Sequence, residues 1–373
     1  MSSGTSQAES AGPEATVSEL IENARAAMAQ VADYDQDEAD RLARAVGWAV
    51  YEEDRCRELS ELAVESTGLG DVDDKFQKKR RKVPGALDGM LGEQTVGVVE
   101  EDEETNLVEV AKPVGVVGAV VPSTNPGATP TLLAMMAVKS RNAIVLSPSP
   151  RGLAVCEQVV EWIHEEFDRI GAPKDLVQMV PTPVSKAKTY ALMDQCDLLQ
   201  VTGSSDNVVS GQESGTPNYC VGEGNPVGII DETADIEAAA NRVATSKSFD
   251  NSTSCSSEGN VAIVSEVYDE TMAALEAAGG YMCDDDQREQ IETMLFPEGH
   301  GSLNPDALAS TPAELCDLAG IDDTAAREAD FLTVEGDGAG PAAPLCGETT
   351  PTGLTLSQVP AGAEAFAPTQ RAP

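Results

Sequence analysis

From residue 108 onward, short runs of almost unbroken apolar residues alternate with amphipathic stretches, and no other feature restricts the architecture of this 373-residue chain as much. Strands are expected at residues 114–121, 143–147, 177–180, 198–202, 227–230 and 261–264, and helices at 131–138, 153–168, 185–193, 206–212 and 235–246. A strand that is apolar at nearly every residue, not at every second one, is covered on both faces, the condition of a parallel sheet wrapped by helices. The pattern therefore predicts a doubly wound α/β architecture, whose ligands sit at the carboxyl ends of the strands. Upstream, residues 16–31 place Val17, Leu20, Ile21, Ala24, Met28 and Val31 on one helical face, and Thr16 and Glu19 have capping-box spacing. A second helix is expected over 37–66, with Leu42, Val46 and Ala49 on its stripe. Residues 1–15 are small and polar and read as a disordered leader.

Charge excludes whole classes of partner. The net charge is −40, from 24 basic and 64 acidic residues. Nucleic acid and anionic membrane would both be repelled, so neither is expected as a partner. The acid is spread along the chain, as in a surface kept hydrated in high salt; at about 1 M salt a Debye length of about 3 Å makes the self-repulsion tolerable. No secretory signal and no run of about 18 apolar residues is visible, so a cytoplasmic protein is expected. One basic cluster interrupts the acid: residues 75–82 hold six of the 24 cations. It could meet a ligand's phosphates or simply neutralise neighbouring acid, and the second reading is favoured.

The eight cysteines are widely spaced and form no CxxC pair, which argues against a zinc site and against a small disulfide scaffold. With only His164 and His300, histidine-based metal clusters and Ser-His-Asp triads are nearly excluded, and no metal is expected. No GxGxxG motif lies at a strand-to-helix turn; Gly222-Glu223-Gly224 is too short and too late. Two segments carry reactive potential. Residues 113–126 form a buried strand ending in a polar turn, where Asn125 lies between Pro122 and Pro126. An amide held there could stabilise an oxyanion, or merely close an Asx-turn. In the loop 249–258, Cys255 sits among serines, unlike the usual buried cysteine. A nucleophilic thiol needs nearby N–H groups or another positive field, and this loop could supply them.

Several motifs together resemble the coenzyme-A-acylating branch of the aldehyde dehydrogenase superfamily. They are the run 112–126, residues 140–151 (SRNAIVLSPSPR), residues 171–176 (GAPKDL), residues 201–204 (VTGS), residues 224–226 with 230–236, and residues 248–251 with Cys255. They occur in family order, and the resemblance spans roughly residues 75–358, nearest to the acetaldehyde and sulfoacetaldehyde dehydrogenases (acylating). It implies an α/β fold: a doubly wound, parallel-sheet nucleotide-binding domain with N-terminal helices over 16–240, an incomplete catalytic (thiol) domain over 241–358, and an irregular tail from 359 to 373. It also implies oxidation of a small aldehyde to its acyl-CoA, with NAD or NADP as cofactor and coenzyme A as co-substrate. In that reading Cys255 is the nucleophile and Asn125 the oxyanion donor. Ser123, Thr124, Gly203, Ser204, Gly222, Gly224 and Glu348 are expected on the cofactor side, and Ser147 at the turn beside the adenosine ribose. Hydrolytic members carry a glutamate base where this chain has Val221, which points to a thiol and not water as the acyl acceptor. Beyond residue 359 the similarity dissolves, so a truncated member is expected, lacking the strand through which the family forms homo-oligomers. Two rival readings stay open: an acyl-phosphate reductase of the same fold, and an inactive remnant that binds only nucleotide or a partner subunit.

Overall fold

The computed structural model describes residues 12–222, 224–299, 303–336, 345 and 352–359. Most of the expected leader (1–11), nearly all of the expected tail (360–373) and Glu348 lie outside the described residues. The chain divides into two compact units, residues 1–67 with 76–222, and residues 68–75 with 223–373.

The first unit opens with helices α1 (Pro13–Gln30), α2 (Gln36–Tyr51), α3 (Glu53–Thr67) and α4 (Val72–Met90), the last beginning within the segment 68–75. Two expectations are corrected here. Helix α1 starts at Pro13 after Gly12, so residues 13–15 are helix and not leader. Proline suits that place because its missing N–H would have had no partner there. Thr16 is consequently inside the helix, its hydroxyl donating to Gly12 O at 3.1 Å, and it is no cap. The helix expected over 37–66 is broken at Glu52, whose extended backbone (φ −51°, ψ 135°) ends α2. The Glu52 carboxylate then accepts from Arg55 N at 3.0 Å, which starts α3. The basic cluster, given no element in the sequence, lies on α4.

An antiparallel pair follows, β1 (Gly97–Asp102) with β2 (Leu107–Ala111). Its residues are almost all exposed on both faces, so no alternating pattern marked it in the sequence. Then come β3 (Val116–Val121), α5 (Ala128–Lys139), β4 (Ala143–Pro148), α6 (Leu153–Ile170), β5 (Val177–Met179), α7 (Lys186–Gln195), β6 (Leu198–Thr202), α8 (Ser205–Glu213) and β7 (Asn218–Val221). The strands form one parallel sheet in the order β5-β4-β3-β6-β7. Every residue of β3 and β4 is buried, as their unbroken apolar sequence demands. The chain runs outward from β3 through β4 to β5, then returns to start again at β6. The order thus reverses between β3 and β6, the crevice where such sheets bind ligands.

The second unit holds β8 (Val227–Ile230), α9 (Ile236–Ser248), β9 (Asn260–Val264), α10 (Tyr268–Ala277), β10 (Gly280–Met282), α11 (Asp285–Leu295), α12 (Pro312–Ala319), α13 (Thr324–Glu328), β11 (Phe331–Glu335) and β12 (Gly353–Val359). Its sheet is parallel too, in the order β10-β11-β12-β9-β8. The expected boundary at 240/241 falls inside α9. The division comes after Gly222 because β8 pairs with β9, Val227 opposite Asn260, and so belongs to the second sheet. Phe331, Val261, Ile263, Leu354 and Leu356 are buried together against α9.

Helix α5, which leaves the Asn125 turn, is anchored at its far end. The buried Lys139 ammonium donates to Asp40 Oδ1 of α2 at 2.6 Å and to Glu93 O at 3.0 Å. Removing one member of a buried pair strands the other's charge, so Lys139→Met is expected to cost about 3 kcal/mol of stability. The double variant Lys139→Met with Asp40→Asn should recover part of that in a denaturant-melting cycle.

Candidate active site

In the first unit, the β3/β6 crevice is framed by two turns. One follows β3: Ser123, Thr124 and Asn125 are half-buried between Pro122 and Pro126. The Asn125 carbonyl accepts from Thr129 N at 3.1 Å, which launches α5. The Asn125 side chain is oriented by Lys78 of α4, whose buried ammonium donates to Oδ1 at 3.1 Å. A cation on the amide oxygen leaves the amide nitrogen as the outward donor. Lys78 was hidden from sequence reasoning because it lies 47 residues away inside the basic cluster. That cluster is built into the fold: Lys75, Lys78 and Lys79 are buried, and the Arg80 guanidinium donates to Tyr51 O at 2.8 Å and stacks 4.0 Å from the Tyr51 ring.

The second turn follows β6. Gly203 leaves the strand and Ser204 stands before α8, its side chain making no capping bond. The first-turn amides of a helix have no intrahelical acceptors and are suited to a phosphate. Gly222 directly follows β7, where an added Cβ would lie 3.4 Å from Val208 Cγ2 of α8. Ser147 lies in the expected strand, near its carboxyl end. Strand β4 runs on to Pro148, and Ser147 is buried with its hydroxyl 2.9 Å from Thr189 Oγ1.

In the second unit, Cys255 is exposed, whereas Cys56, Cys156, Cys196, Cys283 and Cys316 are buried and Cys220 is half-buried. Burial pushes the Cys196 thiol up to about 11 and the Cys283 thiol to about 12, so neither ionises readily. Among the described cysteines, Cys255 alone is openly available to a substrate. It follows an unusual bend: Asp250, Asn251 and Ser252 all have left-handed backbones, with φ of 53°, 48° and 58°. Each costs about 1–2 kcal/mol for a residue with a side chain. The bend is closed by Thr253 N, which donates to Asp250 O at 3.0 Å, and by the Thr253 hydroxyl on the same oxygen. Beyond it, Ser257 N donates to Ser254 O at 2.9 Å and the Ser257 hydroxyl to Ser246 O at 2.9 Å, tying the loop to the end of α9.

Gly224, expected on the cofactor side, packs against the thiol loop of its own unit. A Cβ there would lie 3.0 Å from Cys255 O and 3.5 Å from Cys255 Cβ, so only glycine lets the two backbones approach this closely. Lys247 of α9 is fully buried with its ammonium nitrogen unbonded among the described residues. Burial drives it down to about 7, against the opposing pull of Glu258. No group of three or more His, Cys, Asp or Glu suited to a metal occurs among the described residues, and none of their helices is long and apolar enough to cross a membrane.

The first parallel α/β unit thus carries a reversal crevice and the second an exposed thiol. Comparison with known proteins gives the class. The pattern of the aldehyde dehydrogenase family matches residues 5–291. Over 340 residues the chain is 41% identical to the sulfoacetaldehyde dehydrogenase (acylating) of Cupriavidus necator, covering 91% of this chain and 69% of that protein. Its fold is similar to an acetylating aldehyde dehydrogenase from Geobacillus thermoglucosidasius, with a TM-score of 0.90 and 31% identity over 96% of this chain and 78% of that one. It is also similar to the Rhodopseudomonas palustris propionaldehyde dehydrogenase with bound propionyl-CoA, with a TM-score of 0.82 and 26% identity over 98% and 80% of the two chains. The chain belongs to the aldehyde dehydrogenase family.

The strained bend yields a stability prediction. Ser252 combines a left-handed backbone with a buried hydroxyl that has no partner among the described residues. Ser252→Gly removes both penalties and is expected to add about 1 kcal/mol, seen as a higher Tm by calorimetry.

Proposed function

We propose that this chain oxidises a small aldehyde to its acyl-CoA, with NAD(P) as hydride acceptor. The observation that carries the reading is Cys255, exposed on a strained loop while the other described cysteines are buried or half-buried. The reversal crevice fits a dinucleotide by the chemistry of its edges: a glycine and the start of helix α8 after β6, and a polar turn after β3.

The Cys255 thiolate adds to the aldehyde carbonyl, forming a C–S bond and an oxyanion. The Asn125 amide, its oxygen already engaged by Lys78, is suited to donate its N–H to that oxyanion. Bound NAD(P) supplies the chemistry of hydride acceptance. Loss of hydride from the thiohemiacetal leaves a thioester on Cys255. The thiol of coenzyme A then adds to this thioester, the bond to Cys255 breaks, and the acyl group departs as acyl-CoA. Val221, at the end of β7, holds the position where hydrolytic members carry a glutamate, and an aliphatic side chain cannot activate water. The acylating relatives, and the propionyl-CoA bound to one structural neighbour, support a thiol acceptor. The net charge of −40 is read as adaptation to high salt in a cytoplasm, so assays belong in molar potassium chloride.

Cys255→Ala is expected to abolish aldehyde-dependent NAD(P)H formation and to leave no trapped thioester; residual turnover would refute the assignment. Reduction of acyl-CoA but not of acyl phosphate excludes the acyl-phosphate reductase reading, and nucleotide binding without any turnover would leave a binding protein. Lys78→Met should free the Asn125 amide to rotate. Its kcat is expected to drop about tenfold or more while KM changes little, as for a donor that acts in the transition state.

A further inference from the structure

We propose that the segment 68–75, remote in sequence from the thiol loop, is a built part of the thiol site: Lys75, Gly70 and Asp71 hold Asp250 and so position Cys255. The inference rests on Cys255 being the nucleophile. Asp250 is fully buried, a carboxylate with no water to satisfy it. The Lys75 ammonium lies 3.1 Å from Oδ1 and donates to Oδ2 at 3.2 Å, and Asp71 N donates to Oδ1 at 2.9 Å. In return, Asp250 N donates to Asp74 Oδ2 at 2.7 Å. Both the backbone and the side chain of this residue are thus fixed by one five-residue stretch, 71–75, 175 to 179 positions away.

Gly70 explains how the stretch comes so close. Its φ is +75°, and a Cβ there would lie 2.0 Å from Asp250 Oδ1 and 2.8 Å from Lys75 Nζ. No side chain fits. The residue that this cradle grips is the first of the three consecutive left-handed residues. Such a run persists only where its surroundings over-determine it. Without the cradle the cheaper backbone is the ordinary right-handed or extended one, and the chain would leave Asp250 in another direction. Cys255, five residues on and held by bonds local to its loop, would move with it. Asp250, Lys75 and Gly70 are therefore positioning residues, acting through the backbone and not on the substrate.

The test uses the full chain with Asp250→Asn, Gly70→Ala, Lys75→Met and Lys75→Arg. Three properties are read below each variant's Tm: carbamidomethylation of Cys255 by iodoacetamide followed on its peptide, kcat and KM for the aldehyde, and nucleotide binding. Asp250→Asn, Gly70→Ala and Lys75→Met are expected to change the alkylation rate and lower kcat by about tenfold or more, since small misplacements near a reacting atom are costly. Nucleotide binding should stay within about twofold, and Lys75→Arg should restore part of kcat by keeping the charge. Folded variants with wild-type alkylation and kcat would overturn the proposal. Should a variant not fold, the same substitution in a Ser252→Gly background decides by the same readouts. Alkylation requires no turnover, so it judges the cradle even if Cys255→Ala proves active and the parent reading fails.

Discussion

A buried carboxylate with one lysine is the constraint on which the thiol loop depends. Asp250 sits where water cannot reach it, and an unpaired charge there would be intolerable. Lys75 and the Asp71 amide satisfy its oxygens, while the Asp250 backbone enters a left-handed bend that no propensity would choose. A buried ion pair seldom adds much net stability, because desolvation offsets its attraction. It does impose one geometry. Here the geometry is that of the chain leading into Cys255, so strain and pairing serve the placement of a sulfur atom.

The same logic recurs at Asn125. An asparagine amide can present either its oxygen or its nitrogen, and a catalytic donor must present the nitrogen. Lys78 resolves the ambiguity by occupying the oxygen, and α5 begins from the Asn125 carbonyl, so the turn cannot drift from the strand that carries it. Two lysines of the single helix α4 thus fix polar side chains at the two proposed reactive positions, Lys78 at Asn125 and Lys75 at the Asp250 bend before Cys255. Within the basic cluster on that helix, Lys75 neutralises a neighbouring acid, Asp250, in line with the favoured expectation, while Lys78 orients the Asn125 amide.

How far this was legible in the sequence follows from where the contacts run. Strands β3, β4 and β9 were readable because burial on both faces leaves a largely apolar run, and β6 and β8 were readable as short apolar segments although they are only part-buried. The pair β1 and β2 was invisible because its valines face solvent on both sides, and β10 because only three half-buried residues form it. Break points failed where a side chain, not a periodicity, decides them: Glu52 splits a stripe that would otherwise read as one helix. At the site, Cys255 stood out by its local surroundings. Gly70, Lys75 and Lys78 could not, since each acts on a residue 47 or more positions away and a lysine in a basic run looks like any other. Gly224 was noticed, but its approach to the Cys255 backbone was not foreseen, because a glycine's sequence neighbours do not reveal which backbone it allows to approach.

The interior lysines also bear on the chain's charge. Among the described residues five cations, Lys75, Lys78, Lys79, Lys139 and Lys247, are buried against three acidic residues, Asp40, Glu166 and Asp250, so the water-facing surface is more acidic than the composition suggests. Salt acts unequally on these two populations. Exposed charges separated by more than a Debye length are screened, and at molar salt that length shrinks to about 3 Å, which relieves the repulsion among surface carboxylates. The pairs Lys75–Asp250 and Lys139–Asp40 lie where ions do not penetrate and are screened much less. Rising salt therefore relaxes the surface without loosening the contacts that set the Asp250 bend and anchor α5. A chain organised this way can carry a heavily acidic exterior and still hold its reactive positions by charge.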